Sequence, residues 1–76
     1  LLQGAQSMQD HVYKTTEIVG TSGKSVEDAV QKAVGRAAKT VRNMRWVEIK
    51  EVRGHIEGSA VTQWQVIMKI SFTLDD

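Results

Sequence analysis

Few side chains in this sequence are of the types that do covalent or metal chemistry, and none is spaced for it. There is no cysteine, so thiolate nucleophiles, thiolate metal sites and disulfides are excluded. His11 and His55 stand far apart, at no metal-ligand spacing. No serine–histidine–acid or paired-carboxylate arrangement is recognisable, and Glu17, Glu48 and Glu51 read as strand-surface charges. GTSGKS at residues 20–25 resembles a phosphate loop, since Gly23-Lys24-Ser25 matches that motif's end. The motif needs another glycine five positions before Gly23, where this chain has Ile18. A turn followed by a helix cap accounts for the same residues.

The side chain that stands out is Trp46, in the stretch RNMRWVEIKEVRGHI at residues 42–56. The stretch reads as one long strand, and strand side chains alternate between faces. Val47 and Ile49 then point to the core, while Trp46, Glu48 and Lys50 point to the polar side. A large flat ring on that side asks for a partner, either another subunit or a planar ligand. An indole stacked on a flat heteroaromatic gains about 0.5–1.5 kcal/mol beyond area burial. Gln65 falls on the same face, and a carboxamide donates and accepts at once, so it suits an edge carrying both. The pattern leaves subunit and ligand both open.

The elements that must position these residues follow from periodicity. Residues 11–20, HVYKTTEIVG, read as a strand, and residues 21–24, TSGK, as a turn. Ser25 is placed to cap a helix, with Asp28 at its third position in a near capping box. Val26, Ala29, Val30, Ala33, Ala37 and Val41 recur at helical spacing, with Gly35 beside them. Arg36, Lys39 and Arg42 complement the C-terminal end of the dipole, and Asn43 is a plausible stop. Alternation in the long second strand slips near Val52, with Gly54 following, which predicts a bulge or bend there. Residues 57–60, EGSA, are a hairpin connection. In the third strand, residues 61–74, Trp64, Val66, Met68, Ile70, Phe72 and Leu74 share one face and should cover the helix. Gln63, Gln65, Lys69, Ser71 and Thr73 share the other, with Ile67 the exception. The expected fold is a single α+β domain of βαββ order, one helix on a three-stranded sheet. If the sheet is wholly antiparallel, the third strand lies between the other two.

Composition narrows the function. A chain of 76 residues makes one domain and buries only about 60% of its unfolded surface. Small domains compensate with disulfides, metals or self-association, and self-association is what this composition leaves. A net charge of +1 signals neither nucleic acid nor an anionic membrane surface. Arg36, Lys39, Arg42, Arg45 and Arg53 read as solvated charges in the absence of interleaved aromatics. No run of about 20 apolar residues could span a bilayer. The lack of cysteine suits a cytoplasmic protein. Residues 1–7, LLQGAQS, have no signal-peptide pattern and are expected to be a cloning remnant or tail, with the natural start at Met8.

At HVYKTTEIVGTS, SVEDAVQKAVGRAAKTVRNMRWVEIKEVRGHIEG and WQVIMKISFTL the sequence closely resembles the dodecins, small flavin-binding proteins that assemble as hollow dodecamers. The resemblance covers residues 11–74. It implies a βαββ protomer, a twelve-subunit shell, and flavin pairs held at two-fold interfaces between symmetry-related tryptophans. Trp46 matches the stacking tryptophan, Gln65 the glutamine that hydrogen-bonds the isoalloxazine edge, and Arg53 an arginine near ligand and assembly contacts. The implied ligand is FMN, with riboflavin, FAD and coenzyme A also in the family's range. The implied role is storage and photoprotection of flavin without turnover, so the chain is not expected to be an enzyme. A flavoenzyme, and an oligomeric scaffold or coenzyme A binder without tight flavin binding, are the rivals. Three departures stand out: Thr73 where similar sequences often carry arginine, Val47 where phenylalanine is common, and Trp64 where tyrosine is common. The first two bear on affinity and assembly more than on fold.

Overall fold

The computed structural model describes residues 11–74; the expected tail at residues 1–7 and the start at Met8 lie outside them. Strand β1 spans Tyr13–Ser22, helix α1 Val26–Ala37, strand β2 Met44–Glu57 and strand β3 Ala60–Thr73. The strands form one sheet in the order β1-β3-β2, both pairings antiparallel. The third strand is thus central, as expected.

Strand β1 runs two residues beyond the expected end at Gly20, because Thr21 and Ser22 still pair with Gln65 and Trp64. The turn is correspondingly tight. Ser22 Oγ accepts from the Lys24 N–H at 2.8 Å and the Ser25 N–H at 3.3 Å, and donates to Asp28 Oδ2 at 2.6 Å. Ser25 then caps α1, its hydroxyl accepting from the Asp28 N–H at 3.0 Å. Helix α1 ends at Ala37, earlier than the stripe through Val41 suggests. Its end tightens, with Lys39 N–H donating to Arg36 O at 3.2 Å and Thr40 N–H to Ala37 O at 3.0 Å. Asn43 is therefore a pivot into β2 and does not stop the helix, taking a left-handed φ of 63°.

The core lies between α1 and the central strand. Ala29, Val66 and Met68 are buried, with Ile18, Val26, Val30 and Ala33 packed around them. Gly20 sets the closeness of this contact. A Cβ there would collide with the Ala29 carbonyl oxygen and sit 3.0 Å from Ala33 Cβ. The helix packs on β1 and β3. Val47, Ile49 and Val52 share the helix-side face with Ile70, Met68 and Val66 across the ladder, yet remain 41%, 44% and 42% exposed. The expectation that Val47 and Ile49 are core residues is right about the face and wrong about burial, because the helix does not cover β2.

Strand β2 has three irregularities where one was expected: between Met44 and Trp46, between Ile49 and Glu51, and between His55 and Ile56. The second, which leaves Lys50 without a counterpart on β3, produces the slip in alternation, slightly before the expected place. Gly54 has a different purpose. It faces Trp64, and a Cβ there would lie 2.8 Å from Val61 Cγ1 and 3.2 Å from Trp64 Cζ3. The β2–β3 hairpin closes through Gly58 and Ser59, with Gly58 at φ 66° supplying the backbone turn.

Candidate functional site

Cross-strand partners share a face, so the register assigns the open face of the sheet residue by residue. Trp46 lies opposite Ser71, Glu48 opposite Lys69, Arg53 opposite Gln65 and His55 opposite Gln63. On the far side of β3, Tyr13 lies opposite Thr73 and Glu17 opposite Lys69. The bulge at Met44/Trp46 is what keeps the indole on this face beside two apolar-side neighbours, Met44 and Val47. Trp46 is 59% exposed, so its own chain leaves most of the ring uncovered.

Trp46 has one aromatic neighbour. The Tyr13 ring is centred 5.1 Å away with its plane tilted 50°. Tyr13 belongs to β1, and sequence reasoning missed it, because its meeting with Trp46 depends on a register that periodicity does not give. The Tyr13 ring braces one side of the indole, and Trp46 also borders a hollow of about 260 Å³ with Val34, Met44, Val47 and Ile70. Thr73, at the same end, is 7% exposed and donates its N–H to Asn43 O at 3.2 Å. A long cation at that position would meet this crowded corner.

Gln65 and Arg53 are brought together directly. Arg53 Nε donates to Gln65 Oε1 at 2.7 Å, and Gln65 Nε2 donates to Gln63 Oε1 at 3.4 Å. Trp46 is not part of this cluster. It lies opposite Ser71, six positions along β3 from Gln65, which at about 3.3 Å per residue is roughly 20 Å. A tricyclic ring lying flat on one chain's indole does not reach the same chain's Gln65. Any ligand that uses both must take them from two copies.

The remaining charges are dispersed. Lys50 pairs with Glu17 at 3.4 Å across β3, and His55 approaches Glu57 at 3.6 Å. Arg36 and Lys39 border a hollow of about 660 Å³ between α1 and β1, away from Trp46, Gln65 and Arg53. The five basic residues therefore form no single patch, since Arg53 lies on the open face and Arg36 on the helix. Among the described residues, one carboxyl is perturbed. The hydroxyl of Ser22, then the ammonium of Lys32 at 3.1 Å, hold Asp28 below the usual carboxylate range. That carboxylate ties the first turn of α1 to Ser22 at the end of β1 and has no contact with Trp46, Gln65 or Arg53. No group of three or more metal-ligating side chains occurs among the described residues, and no helix among them is long and apolar enough to cross a membrane.

Comparison with known proteins places the chain in a family. The family described as Dodecin matches residues 12–75. Dodecin of Thermus thermophilus is 45% identical over 65 residues, which are 86% of this chain and 94% of that protein. Among solved structures, dodecin from Streptomyces davaonensis superposes with a TM-score of 0.83 at 41% identity, covering 90% of this chain and 100% of that one. Dodecin from Streptomyces coelicolor gives 0.84 at 46% identity, covering 91% and 99%. With the helix, the strand order and nearly the whole length in common, the chain belongs to the dodecin family.

Proposed function

We propose that this protein binds flavin, FMN first among the candidates, and holds it without turning it over. The observation that carries the reading is an indole 59% exposed on a polar sheet face, braced by Tyr13. The same face offers a preorganised amide, Gln65, held at 2.7 Å by Arg53. A planar, electron-poor ring with a donor–acceptor edge satisfies both. The site lies where two copies meet, Trp46 coming from one and Gln65 with Arg53 from the other. In a two-fold arrangement each copy gives and receives the same residues, so flavins enter in pairs between two indoles.

The assembly we propose is the twelve-subunit shell. Two surfaces favour self-association: the open face, and the uncovered helix-side face of β2 with Val47, Ile49 and Val52 exposed, continued at the hairpin end by exposed Ile56 on β2 and Val61 on β3. A domain this small gains from burying them. Storage and photoprotection follow from the chemistry of the stack. An excited flavin against an indole is quenched by electron transfer and return, which spends the light energy without product. Trp46, Gln65 and Arg53 hold and orient a ring, a role that needs no proton transfer to or from a substrate.

Titration of FMN into ligand-free protein, with flavin fluorescence and particle mass followed together, tests the proposal. Fluorescence should fall on binding while the mass stays that of about twelve chains. Undiminished fluorescence throughout refutes flavin stacking; a monomer or trimer at micromolar concentration refutes the shell.

A further inference from the structure

We propose that Gln63 is a positioning residue for the flavin site: together with Arg53 it locks the polarity of the Gln65 amide. The inference rests on the flavin reading for its consequence, and on three hydrogen-bonding groups for its substance. Arginine carries five N–H donors and no acceptor. The atom of Gln65 that meets Arg53 Nε at 2.7 Å must therefore be its oxygen. Arg53 reaches this oxygen from across the ladder, and the amide nitrogen points along β3 towards Gln63 Oε1 at 3.4 Å. Gln63 is two residues along the same strand and so on the same face.

The short charge-assisted bond from Arg53 does most of the holding. It leaves the carboxamide plane free to tilt about the Arg53 contact, and the longer bond to Gln63 fixes that plane. Three groups joined in sequence thus give one direction, arginine donor to amide oxygen, amide nitrogen to amide oxygen. What remains of Gln65 for a ligand is one oxygen lone pair and one N–H, in a set order along the strand. A ligand edge presenting a donor next to an acceptor fits in one orientation only, and the reversed edge meets like against like. Arg53, with Nε committed, keeps its terminal nitrogens for a further acceptor on the ligand. Sequence reading placed Gln63 on this face and gave it no role.

Gln63→Glu keeps an acceptor opposite Gln65 Nε2, whereas Gln63→Leu removes it at similar size. Riboflavin is the probe, because it has no phosphate to repel the new carboxylate. Affinity for riboflavin should stay within about two-fold of the parent in Gln63→Glu and fall about three- to ten-fold in Gln63→Leu, the loss of one modest hydrogen bond. Equal affinity in Gln63→Leu and the parent, or equal losses in both variants, overturns the proposal. A second readout needs no ligand. In glutamine-labelled, ligand-free protein, the two N–H resonances of the Gln65 carboxamide should lie displaced from free-glutamine positions in the parent and Gln63→Glu. In Gln63→Leu they should move towards free-glutamine positions, and unchanged resonances there refute the lock. If the parent itself takes up no riboflavin, the flavin reading fails while the resonances still decide the lock.

Discussion

Chains lacking Trp46 and chains lacking Gln65 should repair one another, because the structure puts these residues too far apart to serve one ligand from one copy. The register sets Trp46 against Ser71 and Gln65 against Arg53, a separation of roughly 20 Å along β3. Trp46→Ala chains retain Gln65, and Gln65→Ala chains retain Trp46. Neither substitution threatens the fold, since Trp46 is largely exposed and Gln65 lies on the open face. When the two variants are unfolded together in equal amounts and reassembled, about half of all two-fold pairs are mixed. Each mixed pair holds one intact site of two, so about one quarter of parental flavin sites should return. Assemblies made from either variant alone should hold none at the parental affinity. The assay is the count of tightly bound FMN per chain in the mixed and the single-variant assemblies. A mixture that binds no more than the two variants separately would show that both residues come from one copy, and would refute the two-copy site.

Other consequences can be checked singly. Gly20→Ala forces a Cβ against the Ala29 carbonyl, a backbone obstacle that overpacks the core by about 1–3 kcal/mol. At about 4–8 °C per kcal/mol for a domain of this size, melting at fixed protein concentration should fall by roughly 5–20 °C. Gly35→Ala, with nothing within 4 Å of the new Cβ, should instead stabilise the helix by about 0.5–1 kcal/mol, and a higher melting temperature checks it. Asp28 is held below its ordinary value in the folded chain, so its carboxylate stabilises the fold above the unfolded pKa of about 3.9. That contribution is lost as pH falls through the lower folded value, so the stability gap between the parent and Asp28→Asn should narrow in acid denaturation. Tyr13→Ala removes the ring centred 5.1 Å from Trp46 and should weaken FMN binding about three- to ten-fold, matching an aromatic contact of about 0.5–1.5 kcal/mol. Unchanged FMN affinity would show that Tyr13 does not brace the indole.

Much of the fold is legible in local pattern. Ser25 and Asp28 announce the helix start because capping is a local hydrogen bond, and the clean alternation of Val66, Met68 and Ile70 marks the central strand. The helix end is not legible, because Val41 continues the stripe while the backbone has already tightened at Ala37. The exposure of Val47 and Ile49 is hidden for another reason: alternation reports which face a residue takes, and not whether the helix extends that far. That Trp46 and Gln65 share a face is legible from alternation alone. Their separation along the sheet, and the contacts to Tyr13 and Gln63, depend on a register shifted by bulges that periodicity does not count.

The proposed site depends above all on Trp46 stacking against the flavin. Comparing FMN affinity in the parent, Trp46→Phe and Trp46→Ala at unchanged particle mass tests it most directly. Phenylalanine should keep part of the affinity and restore part of the fluorescence, and alanine should lose at least about ten-fold, some 1.4 kcal/mol. FMN bound by Trp46→Ala as tightly as by the parent, with fluorescence equally quenched, would contradict it.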